Sequence, residues 1–143
     1  MSLLGDVGAY LIASTSLGLS YGSTGSLWLG GFAEQSPDVA VALIEYPGRE
    51  PLRAMNAAAK GAPVAERPRI QVLVRESATN SYSTGRDRAE AIYQYLDMTG
   101  EFNSTSGVRF LNIVALQPPF KLEQDDSTRT VWAFNVEAWK ERA

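Results

Sequence analysis

Neither histidine nor cysteine occurs anywhere in the 143 residues. Their absence removes zinc sites built on Cys or His, iron–sulfur clusters, His- or Cys-ligated haem, disulfide scaffolds and thiol nucleophiles. It also removes Ser-His-Asp and Cys-His hydrolysis, which need an imidazole that titrates near neutral pH. Any catalysis would have to run on carboxylates, Lys, Arg, Tyr, Ser or Thr. A second absence is local. No Lys or Arg precedes Arg49, whereas four acids do: Asp6, Glu34, Asp38 and Glu45. Long apolar runs are missing as well, with none near the roughly eighteen residues that a membrane span requires. Residues 1–20 lack the basic start of a secretory signal and carry Asp6 instead. Synthesis in the cytoplasm and no membrane partner are the expectation.

What is present describes a globular chain, with 45% hydrophobic and 20% charged residues and a net charge of −3. At this length one core suffices, so a single domain over residues 1–143 is expected. The mild acidity gives no bulk attraction to DNA or acidic lipid. Asn103-Ser104-Thr105 fits a glycosylation sequon, but without a signal it reads as a surface loop.

Leu3, Leu4, Val7 and Leu11 form a helical stripe, weakened by Gly5 and Gly8 and therefore dependent on packing. Residues 14–31 are rich in Gly, Ser and Thr, yet contain neither a Gly-Lys-Ser/Thr end nor a G-x-G-x-x-G spacing. A flexible connection into a strand at Leu27–Phe32 follows. Val39–Tyr46 is a strand ended by the turn signal Pro47-Gly48. Ile70, Val72 and Val74 alternate with Arg69, Gln71 and Arg75, Val108–Leu116 is β-rich, and Trp132, Phe134, Val136 and Ala138 alternate along a last strand. Ala89, Ile92, Tyr93 and Leu96 mark a helix, with Ser83 or Thr84 to cap it, Gly100 to end it and Arg86 paired to Glu90. The order α-β-β-β-α-β-β predicts an α+β fold: a mixed, mostly antiparallel twisted sheet of about five strands with helices packed on one face.

Residues 47–68 stand apart, with six Ala, two Gly and four Pro. A connection of this length inside a compact domain is usually functional or disordered. It reads as a long mobile loop or arm that contacts a partner, through Arg49, Arg53, Lys60 and Arg67. Arg67, Arg69 and Arg75 form a local basic patch without interleaved aromatics, which suits a salt-bridged interface or edge-strand protection better than a phosphate track. Trp132 and Phe134 belong in the core, and Trp139 near the chain end is an interface candidate.

Chemistry finds little support. Glu123, Asp125 and Asp126 lack calcium-loop spacing and read as a hairpin turn. Glu45 and Glu76 end neighbouring strands without a second signature for acid–base work. No catalytic, cofactor or metal residue emerges.

Phe32-Ala33-Glu34-Gln35-Ser36-Pro37-Asp38, Ile44-Glu45-Tyr46-Pro47-Gly48 and Arg67 through Arg75 resemble the minor capsid or tail terminator proteins of long-tailed bacteriophages. Phe110-Leu111-Asn112-Ile113, Pro119-Phe120 and Trp132-Ala133-Phe134-Asn135-Val136 continue the likeness in the same order. The resemblance implies a twisted sheet backed by helices, a six-membered ring at the top of the tail tube, and no catalytic residue. Such a ring halts tube growth and joins the tail to the head in the virion. Its partners would be copies of itself, the tail tube protein and a head–tail connector or stopper, with DNA passing through the lumen unbound. The loop after the second strand would point toward the tube. Another neck protein, either head completion or stopper, is the nearest alternative, and a small ligand-binding regulatory domain is a further one.

Overall fold

The computed structural model describes residues 2–22, 24–53, 63–77, 82–122 and 128–141. Its first helix, α1 (Leu3–Ile12), begins where the Ser2 hydroxyl accepts the Gly5 amide at 3.1 Å. That bond satisfies one of the amides a helix start leaves open. Strands β1 (Leu27–Leu29), β2 (Ala40–Arg53) and β3 (Pro63–Glu76) follow, then α2 (Tyr82–Leu96). The chain ends in β4 (Phe102–Asn103), β5 (Arg109–Ala115), β6 (Phe120–Lys121) and β7 (Thr130–Lys140).

All seven strands join one sheet in the order β1-β2-β3-β7-β5-β4, with β6 also on β7. Only β1 and β2 run parallel; the other pairs are antiparallel. The α+β class and the mixed sheet match expectation, while the strand count rises from about five to seven. The two additions, β4 and β6, are two residues long and too short to show a periodicity.

Alternation along the strands gives the sheet two unlike faces. Leu43, Val72 and Phe134 lie in register across three strands, as do Val41, Val74 and Trp132. Both sets are buried, together with Val7 and Leu11 of α1 and Ala89, Ile92 and Leu96 of α2. Both helices therefore cover one face and close a single core. Among the described residues no helix packs on the opposite face.

Three expectations change. The strand expected over Leu27–Phe32 stops at Leu29, because Gly30 and Gly31 take φ of 90° and 126°, outside the extended region. Helix α2 begins at Tyr82, so Ser83 and Thr84 lie inside its first turn, and Glu90 accepts from Gln94. The arm expected over residues 47–68 is strand at both ends: β2 runs through Pro47 and Pro51 to Arg53, and β3 starts at Pro63. The intervening residues 54–62 lie outside those described.

Prolines can sit in these strands because of where they fall. Strand β1 pairs β2 only over Val41–Leu43, so Pro47 and Pro51 lie where β2 has no strand on its outer side among the described residues. The β2–β3 register shifts between Tyr46 and Arg49, which is a bulge. Gly48 is needed there, since a Cβ on it would collide with the Arg67 carbonyl.

Candidate functional site

Charge separates along the β2–β3 hairpin by the same alternation. Glu45 pairs in register with Ile70, and Glu66 with Lys140, on the helix-covered side; the Lys140 Nζ lies 3.3 Å from Glu66. Arg49 pairs with Arg67, and Arg69 with Glu137, on the open side. The turnover of side chains thus brings Arg49, Arg67, Arg69, Glu137 and Trp139 onto one patch of the uncovered face.

Glu137 is its centre. The side chain is 3% exposed, against 47% for Arg49 and 31% for Arg69. Arg49 grips the carboxylate side-on, with Nε to Oε2 at 2.9 Å and Nη2 to Oε1 at 2.6 Å. The Arg69 Nε donates to Oε2 at 3.3 Å, and the Trp139 indole donates to Oε1 at 2.9 Å. Four donors leave the buried charge fully satisfied, as a carboxylate taken out of water must be. Hydrogen bonding from Arg49 holds the Glu137 carboxyl below its ordinary range, outweighing the upward push of burial, and Arg69 and Trp139 act in the same direction. The same bond raises the pKa of Arg49.

Arg67 donates from Nε and Nη2 to the Glu50 carbonyl at 3.2 and 2.7 Å. The guanidinium carbons of Arg49 and Arg67 lie 5.9 and 5.7 Å from the Trp139 ring centroid, within cation–π range. Beside them Tyr46 is half-buried, and burial chiefly raises its pKa. The patch therefore sets three guanidiniums around one carboxylate and one indole, a surplus of positive charge on a preorganised surface.

Four of the seven interface residues expected from sequence meet here: Arg49, Arg67, Arg69 and Trp139. Arg53 closes β2 opposite Pro63, and only its backbone is described. Lys60 lies outside the described residues, as do Glu123, Asp125 and Asp126. Arg75 does not share the patch. It sits at the far end of β3, buried, with its guanidinium over the Phe32 ring at 4.2 Å. Its nitrogens donate to the carbonyls of Pro37 and Asp38 at 2.6 and 3.1 Å. There it ties the 32–38 loop to the sheet.

Glu137 was the residue that sequence reasoning passed over. The available signal was its place on the mixed-polarity side of the last strand, opposite the bulky side. Glu45 and Glu76 do not come together: Glu45 is exposed beside Ile70, whereas Glu76 is buried with Arg88 at 3.0 Å. Among the described residues no group of three or more Asp or Glu side chains could hold a metal ion. Three hollows lie away from this patch: one of about 130 Å³ lined by Asp6, Tyr10 and Phe102, one of about 320 Å³ lined by Ser16, Thr84 and Arg88, and one of about 400 Å³ lined by Gly5, Tyr21 and Leu29. The site is a contact surface.

The sequence pattern of one protein family, described as bacteriophage tail terminator protein, matches residues 14–142. The chain belongs to the bacteriophage tail terminator proteins. Membership makes it a structural protein of the phage tail, placed in the virion and working through contacts with other tail and head proteins. No curated protein and no solved structure gave a significant match. In this terminator the matched span takes in every strand, α2 and the whole Glu137 patch, and begins just after α1. No helix of the described residues is long and apolar enough to cross a membrane.

Proposed function

We propose that this terminator closes into a ring of six copies on the end of the tail tube, stops tube elongation and offers the surface to which the head side joins. A tube grows by head-to-tail contacts that are open-ended by geometry, so a terminating ring must match the growing end on one side and present something different on the other. The observation that carries this reading is the two-sidedness of the sheet. One face is sealed by α1 and α2, while the other is covered by no helix among the described residues and bears a hydrogen-bonded patch of charge and indole along the β2–β3 pairing. The net charge of −3 per copy makes a ring of them acidic, so passing DNA is repelled and not gripped.

The test is a phage from which the gene is deleted, examined by electron microscopy with and without complementation. Tails of uncontrolled length, restored to one length by the intact gene, support the terminator ring. Tails of normal length that fail to join heads would move the chain to a stopper or head-completion role. Images of purified assemblies should show six-fold rings.

A further inference from the structure

We infer that the Arg49–Arg67–Arg69–Trp139 patch docks a carboxylate-rich protein surface, the one presented by the neighbour beneath the ring; the identity of that neighbour rests on the terminator reading above. Charge complementarity carries the inference. Strand alternation places Glu45 and Glu66 on the helix-covered side and gathers the guanidiniums of Arg49, Arg67 and Arg69 around Glu137 on the open side. Glu137 already accepts four hydrogen bonds, so it holds Arg49 and Arg69 in place without neutralising the patch. Arg49 is half-exposed, and among the described residues Arg67 is anchored through the Glu50 carbonyl and the Trp139 ring, which leaves the Nη1 group of each arginine outside these bonds. Planar forks held in this way suit incoming carboxylates, which guanidinium binds bidentately.

A protein partner fits better than nucleic acid. A base would need an open aromatic face, and Trp139 has Arg49 and Arg67 against its ring. The half-buried Tyr46 and Ile44 on the same face add an apolar margin of the kind protein contacts use.

The probe is a preparation of tails from the gene-deleted phage, mixed with purified protein and sedimented. Wild-type protein should sediment with the tails, and binding should weaken as salt is raised. R67E should lose binding at least tenfold, because it reverses a charge of the patch, and it should stay folded because every Glu137 hydrogen bond is left intact. R49Q combined with E137Q removes a buried charge together with its partner and should lose binding in the same way. Circular dichroism and imaging of both variants should match wild type, and K121E, off the patch, should bind normally. Folded R67E that sediments like wild type overturns the inference while leaving the ring reading standing. Wild-type protein that never sediments with the tails defeats the ring reading and the docking partner with it. Retained tail binding by R67E with loss of binding to duplex DNA reassigns the patch to nucleic acid and overturns the inference.

Discussion

Glu137 shows how one residue can organise a surface it scarcely reaches. Its carboxylate is buried, and its two arginine partners lie 88 and 68 positions away in the chain. Because its pKa in the folded protein is held below the unfolded value near 4.5, the ionised form favours folding. That contribution is fully present above pH 4.5 and is lost as pH falls through the lowered value. E137Q should therefore unfold at lower urea than wild type at pH 7, and the two midpoints should converge as the pH drops below 4.5. Some acid sensitivity should persist in the variant, since Arg109 lowers the Glu101 carboxyl in the same way. Gly48 supplies a second residue-scale case. An added methyl there meets backbone atoms of Arg67 and Pro68, which cannot swing aside. Gly48→Ala should cost about 1–3 kcal/mol in denaturant unfolding, as overpacking does.

At the scale of elements, the edges of the sheet explain both what the sequence revealed and what it hid. Helix α2, the 69–75 part of β3 and β7 are legible because their apolar residues recur at 3.6 or 2 positions, and β5 because Val108–Leu116 is β-rich. Strands β4 and β6 carry no such signal, and β2 was cut short at Pro47 because proline normally ends a strand. It does not end this one, since Pro47 and Pro51 lie at a bulge or on an edge that no strand of the described residues pairs. The convergence of Arg49 and Arg67 on Trp139 was equally hidden, because it depends on the register of three strands and no local pattern encodes register. The β5 edge is managed differently. The turn after α2 seals it: the Met98 amide donates to the Ile113 carbonyl at 2.7 Å, and Asp97 accepts the Ala115 amide at 2.9 Å. An open edge invites pairing with another chain. Asp97→Ala should leave the Ala115 amide without that acceptor, cost about 1–2 kcal/mol, and raise hydrogen exchange at Ala115 more than at Val72 in mid-sheet.

At the scale of the whole molecule, one core joins both helices to the sheet. Val7 and Leu11 of α1 and Ala89, Ile92 and Leu96 of α2 belong to the same buried cluster as Val72 and Phe134. A domain built this way has no part that can open alone and keep its apolar side dry, so unfolding should be a single transition. Phe134 is the place to test it. The ring is fully buried in mid-sheet and meets Tyr93 of α2 edge-on at 5.7 Å between centroids. Phe134→Ala removes that contact and leaves a cavity, at a cost of about 3–5 kcal/mol. Against a total stability of roughly 5–15 kcal/mol for a typical domain, that is a large fraction. Urea unfolding followed by far-ultraviolet circular dichroism reports chiefly on the helices, and tryptophan fluorescence reports on Trp28, Trp132 and Trp139 in the sheet. The two curves should coincide in wild type and move together to lower urea in the variant. Separation of the helix signal from the sheet signal would mean that α1 or α2 is held independently of the core, and the single-domain reading would fail.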